Sequence, residues 1–129
     1  MEPLIIAEVK KHRNTPNIIL DKGNNKFEIT GNSMPENVID FYQPIYKWFE
    51  EYIRQPNPKT KLVLKPVYFN TSSLKSILVI FGIVEKLILQ GAELEIEWQY
   101  HEEDEELLDT GKEFQIITKL PFTFVSYND

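Results

Sequence analysis

The sequence predicts a two-layer α/β domain, with a mixed sheet of about five strands and helices on one face of it. Three observations carry this expectation. Apolar residues recur at helical spacing in two long segments, at Val38, Phe41, Tyr42, Ile45, Trp48, Phe49, Tyr52 and Ile53, and again from Leu74 to Ile88. Strand-length apolar segments separate them, and in one, Ala92, Leu94, Ile96, Trp98 and Tyr100 alternate with Glu93, Glu95, Glu97 and Gln99, which gives a sheet with one buried face and one wet, acidic face. Strands and helices therefore alternate along a chain of 129 residues with 42% hydrophobic content, enough to close one core and too little for two, so residues 1–129 are expected to form a single domain.

In chain order, Leu4 to Lys10 predicts an edge strand. Asn17 to Asp21 and Lys26 to Gly31 predict a hairpin turning at Lys22-Gly23-Asn24-Asn25, residues that tolerate positive φ. Ser33-Met34-Pro35-Glu36 has the S-x-x-E form of a capping box, with a helix following at once and a kink expected at Pro44. Leu62 to Phe69 reads as a strand bent at Pro66, which cannot donate to a ladder and so points to an edge or a bulge. A helix from about Ser72 to Gln90 closes at Gly91, the strand Ala92 to Tyr100 follows, then a helix around Glu103 to Lys119 and a final strand from Pro121 to Tyr127.

Composition excludes several functions. The chain has no cysteine, so disulfides and thiolate chemistry are impossible, and a cytoplasmic location is the expectation. Its most apolar stretch, Ile77 to Leu89, is broken by Glu85-Lys86 and falls short of the ~20 residues that a membrane span needs. Ten acids and a single base lie between Gly91 and Glu113, so the net charge of -6 is concentrated in one segment. The one basic cluster, Lys10-Lys11-His12-Arg13, lacks interleaved aromatics, and nucleic acid is not an expected partner.

Catalytic chemistry is poorly supplied. With only His12 and His101, and neither in a nucleophile-elbow context, a hydrolase is not expected; Gly23-Asn24-Asn25-Lys26 lacks the spacing and hydroxyl of a phosphate loop. No cofactor is expected. The competing reading from another class is a metal-dependent enzyme or ion-binding protein using His101 and the carboxylates of residues 102–106. Consecutive acids point in different directions, however, and acids at a helix start favourably oppose its dipole without any ligand.

Asn70-Thr71-Ser72-Ser73, at the turn from strand to helix, combines capping residues with a place to hold charge. A phosphate there would face helix amides and the positive end of the dipole, with Lys75 one turn along. The helix behind it carries one apolar stripe of Leu74, Ile77, Leu78, Phe81, Val84 and Ile88 and a second of Val79, Ile80, Ile83 and Leu87. Either the second stripe is exposed beside the turn, as a docking surface, or the helix is central and buried on both flanks. Asn70, Ser72, Ser73, Lys75, Val79 and Ile83 are the candidate partner-binding residues.

From Thr15 to about Phe122 the sequence resembles the SiaC family of regulatory phosphoproteins, relatives in fold of the anti-sigma factor antagonists. The segments that carry it are Thr15-Pro16 leading to Leu20-Asp21, Ile29 to Asn37 with Phe41-Tyr42-Gln43-Pro44, Tyr68 to Ser73 with Lys75, and Trp98-Gln99-Tyr100 before the acidic run with Gly111-Lys112-Glu113-Phe114. The resemblance implies a STAS-like fold and a phosphoacceptor at Thr71, with Ser72 as second choice. It also implies a non-enzymatic switch with three partners: a cognate serine/threonine kinase, an opposing PP2C-type phosphatase, and a target such as a diguanylate cyclase, engaged by the unphosphorylated form.

Overall fold

The computed structural model of the protein describes residues 1–7 and 14–129. The elements run β1 (Leu4–Ile6), β2 (Asn17–Asp21), β3 (Lys26–Ser33), α1 (Val38–Tyr52), β4 (Lys59–Phe69), α2 (Thr71–Leu89), β5 (Glu93–His101), α3 (Glu105–Thr118) and β6 (Phe122–Tyr127). The expected edge strand is present over Leu4–Ile6; its continuation to Lys10 and the basic cluster fall mostly or wholly outside the described residues.

The strands form one mixed sheet in the order β1-β2-β3-β4-β5-β6, six where about five were expected. β1, β2 and β3 pair antiparallel, whereas β3, β4, β5 and β6 are mutually parallel, each step being bridged by one helix. Successive crossovers of one hand, all advancing in the same direction, put the three helices on a single face. The alternation of each strand agrees: Ile18, Leu20, Phe27, Ile29, Leu62, Leu64, Ile96 and Trp98 are buried and join the inward faces of the helices in one core. The other face is polar, and there Lys61 reaches Glu97 at 2.9 Å while Gln99 donates to the same carboxylate at 2.6 Å. Burial pushes the Glu97 carboxyl up, but the bonds from Gln99 and Lys61 outweigh it and leave the group below its ordinary range.

Two local expectations, the Ser33 cap and the β4 edge, need correction. Ser33 does not cap α1: it is the last residue of β3 and fully buried, and the cap is Asn37, whose side chain accepts from the Asp40 amide at 3.1 Å. The chain needs the intervening residues to leave the sheet before it can turn into a helix. α1 continues through Pro44, which lies on its exposed side, where water can reach the carbonyl left without a donor. β4, finally, is not an edge strand but lies between β3 and β5. Pro66 is tolerated because the β4–β5 ladder ends at Leu64 and Trp98, so no partner there asks for its missing N–H. The bulge is present: pairing with β3 jumps from Gly31–Pro66 to Asn32–Tyr68 and leaves Val67 unopposed, with Gly31 at φ 99 supplying the left-handed conformation the irregularity requires.

Candidate functional site

Parallel strands bring the ends of β3 to β6, and the starts of all three helices, to one edge of the sheet, where α/β domains place their sites. The turn between β4 and α2 lies at the middle of that edge. Asn70 is the helix cap; its side chain accepts from the Ser73 amide at 2.9 Å and from the Ser72 hydroxyl at 3.3 Å. Thr71 and Ser72 open the helix and are exposed, as is Lys75 one turn on.

Ser73 is different, because it is fully buried and belongs to a hydroxyl chain under the turn. Its hydroxyl donates to the Ser33 carbonyl at 2.9 Å, a group that can only accept, so the Ser33 hydroxyl is the donor in the 2.7 Å contact with Ser73 Oγ. Tyr42, 2.6 Å from Ser33 Oγ, must then donate in its turn. Burial pushes the Tyr42 phenol up to about 12, against smaller opposing effects of its serine neighbours, so it keeps that proton at any physiological pH. The Ser33 carbonyl also accepts from the Asn70 amide at 3.0 Å. Ser33 thus ties the end of β3, α1 and both sides of the β4–α2 turn together.

Of the two readings of α2, the structure bears out the central helix buried on both flanks. Ile77, Phe81 and Val84 from one and Ile80, Ile83 and Leu87 from the other are all buried, because α2 is the middle helix and packs on both α1 and α3. What remains outside is Leu78, Val79, Ile88 and Leu89. Of the candidate partner-binding residues, Ser72, Lys75 and Val79 are exposed and Asn70 is half-buried, whereas Ser73 and Ile83 lie inside and act on the surface only by holding it in place.

The acidic run is not gathered into a ligand set. Asp104 caps α3 by accepting from the Leu107 amide at 3.0 Å, and His101 Nδ1 accepts from the Glu103 amide at 3.1 Å while Nε2 lies 3.5 Å from Asp129. Among the described residues no three His, Asp or Glu side chains converge as a metal site would require. Among those residues, too, no helix is long and apolar enough to cross a membrane.

The model of a family described as SiaC family regulatory phosphoprotein matches residues 9–127. This chain belongs to that family. Its fold follows three solved relatives from Pseudomonas aeruginosa. One is SiaC, at 26% identity and TM-score 0.86 with 98% of this chain and 100% of that chain covered. Another is apo-SiaC, at 25% identity and TM-score 0.85 with 97% and 99% covered. The third is the diguanylate cyclase SiaD in complex with its activator SiaC, where identity is 25% and TM-score 0.86, with 96% and 99% covered. An uncharacterized protein of P. aeruginosa strain UCBPP-PA14 is 25% identical over 117 residues, 91% of this chain and 93% of that protein. SiaC is thus a regulatory protein that activates a diguanylate cyclase within a complex.

Sequence reasoning missed the structural roles of Ser33 and Tyr42. Their signal was the pairing of the Gly31-Asn32-Ser33 segment with Tyr42 in the family match, and a capping motif at Ser33 had masked it. It also passed over the exposure of Val67 and Tyr68, which depends on a bulge whose register no single strand reveals.

Proposed function

We propose that this protein is a phosphorylation-switched regulator that binds a target, such as a diguanylate cyclase, when unmodified and releases it when Thr71 carries a phosphate. A cognate serine/threonine kinase adds the group and a PP2C-type phosphatase removes it. The supporting observation is the contrast within one turn: Thr71 is exposed at the first position of α2, while the Ser73 beside it is locked into the buried hydroxyl chain. The turn is rigid from below and open from above, which suits recognition by both an enzyme and a partner.

The chemistry favours a phosphate at this point. The first amides of α2 precede any intrahelical acceptor, the helix dipole is positive there, and Lys75 lies four residues on. Its effect on a partner is the reverse. A group of about -1.5 to -2 charge at a surface otherwise completed by Leu78 and Val79 must lose water when covered. A penalty of only about 1.4 kcal/mol weakens binding tenfold.

The test uses full-length protein in three forms: unmodified, Thr71→Ala, and phosphorylated to completion by intact mass. Binding to a diguanylate cyclase and the rate of cyclic-di-GMP formation are measured with each. The unmodified and Thr71→Ala forms should bind alike and the phosphorylated form at least tenfold more weakly. Equal binding by all three would sink the switch, and a phosphate mapped to Ser72 would move the acceptor by one residue.

A further inference from the structure

We infer that the groove between the end of β4, the first turn of α2 and the start of α3 is the docking slot for the target, and that it takes a segment presenting one bulky apolar side chain beside a lysine or arginine. This rests on the switch reading only in placing the target at the Thr71 edge; the geometry of the slot is independent of it.

The groove is a product of the bulge. In a regular strand, consecutive side chains point to opposite faces, and one of Val67 and Tyr68 would lie beneath the helices. With Val67 unopposed, both are exposed, at 56% and 55%, directly before the phosphoacceptor turn. Bulges re-aim side chains next to functional sites, and here the gain is an exposed aromatic at the rim, beside an exposed valine. Val67 and Tyr68 form one wall, the half-buried Leu74 and Leu107 the floor, and Asp104 and Glu106 the α3 side. The cavity of about 230 Å³ lies below the roughly 300 Å³ at which pockets for drug-sized ligands begin, and has room for a side chain or two.

Charge selects the occupant. Glu102 to Glu106 are five consecutive acids, and among the described residues the ion pairs involve only Lys61 with Glu95 and Glu97, and His101 with Asp129. None of these pairs neutralises the run. An acidic segment or a nucleic acid would be repelled, whereas a segment with its cation on the α3 side and its apolar residue over Leu74 and Leu107 meets complementary surfaces. Thr71 stands on the α2 side, one turn before Leu74, so a phosphate there borders the apolar contact rather than the cation.

A random peptide library panned on the folded protein tests the slot. The expected outcome is enrichment of peptides with Leu, Ile, Phe, Met or Trp next to Lys or Arg, bound at least tenfold more weakly by Glu106→Lys and by Tyr68→Ser, both exposed positions, and more weakly at high salt. An acidic or charge-free consensus, or binding unmoved by both substitutions, overturns the inference. The same variants are then assayed with the diguanylate cyclase alongside the Thr71-phosphorylated form. If phosphorylation blocks the cyclase but Glu106→Lys and Tyr68→Ser bind it normally, the slot fails and the switch stands. If the two substitutions weaken binding of the cyclase and phosphorylation does not, the slot stands and the switch fails.

Discussion

Replacing Gly111 by alanine should destabilise the protein although it lies in a helix, where alanine is ordinarily the better residue. A Cβ at this position would fall 2.6 Å from Trp98 Nε1, 2.7 Å from Trp98 Cδ1 and 2.9 Å from Phe124 Cε1. The indole cannot retreat: it is 1% exposed, it donates to the Leu107 carbonyl of the same helix at 3.0 Å, and it packs edge-on against Phe114 at 5.7 Å. Either α3 lifts from the sheet or Trp98 leaves its hydrogen bond. Overpacking of this kind costs about 1–3 kcal/mol, and the helix-propensity gain of about 1 kcal/mol offsets only part of it. The net loss of up to about 2 kcal/mol corresponds to a fall in Tm of up to roughly 8 °C for a chain of this size. Gly82 is the internal control, since it too lies in a helix but a Cβ there meets nothing within 4 Å. Gly82→Ala should raise Tm by a few degrees. Thermal melts followed by circular dichroism, with urea titrations monitored by tryptophan fluorescence, measure both. A Gly111→Ala protein that melts at or above the wild type would show that α3 rides on Trp98 with slack, and would leave the glycine of the Gly111-Lys112-Glu113-Phe114 motif without a packing rationale.

Two further outcomes follow from the turn and its support. Between pH 10 and about 12 the unfolded chain releases the Tyr42 proton and the folded chain keeps it, so the unfolded state binds fewer protons and stability falls as pH rises, by up to about 3 kcal/mol. Urea titrations at about pH 9 and about pH 11 should therefore show a smaller loss for Tyr42→Phe, which has no proton to release, than for the wild type. Asn70→Ala should cost about 1 kcal/mol through loss of the cap to Ser73, while Thr71→Ala, at an exposed position, should stay within about 0.5 kcal/mol of the wild type by the same titration.

The elements were legible because their periods are strong: the aromatic stripe of α1 and the Glu-alternating β5 each lie within a residue or two of where their pattern puts them. What failed was whatever depends on a partner strand. Ser33-Met34-Pro35-Glu36 has the letters of a capping box, but a hydroxyl at the end of a buried parallel strand is worth more to Tyr42 and Ser73 than to a helix that has not yet begun. Pro66 implied an edge or a bulge; the bulge is there, and the edge is not, because β4 loses its β5 neighbour two residues earlier. Which of the two readings of α2 holds was undecided in sequence for the same reason, since periodicity gives the width of an apolar arc but not how many neighbours share it; the helix is the central one, buried on both flanks. The capping turn from Asn70 to Ser73 was visible in sequence through its residue types, and the groove beside it was not, because it is made by a register shift between two strands.

The three helix starts at this edge differ in one respect that bears on the switch. α1 has Asp40 in its first turn and α3 has Glu105 and Glu106, so the positive ends of their dipoles are already opposed by carboxylates. α2 has no acid in its first turn, and Lys75 follows one turn on. A phosphate on Thr71 would supply the missing negative charge, a favourable contribution of about 0.3–1 kcal/mol for an exposed group, to a turn that the buried Ser33–Ser73 bonds already hold. Modification should accordingly leave the fold intact and its melting temperature unchanged or slightly raised. In the proposed switch, release of a partner would then come from the altered surface rather than from unfolding of the turn, and a phosphatase would meet the same turn that the kinase did.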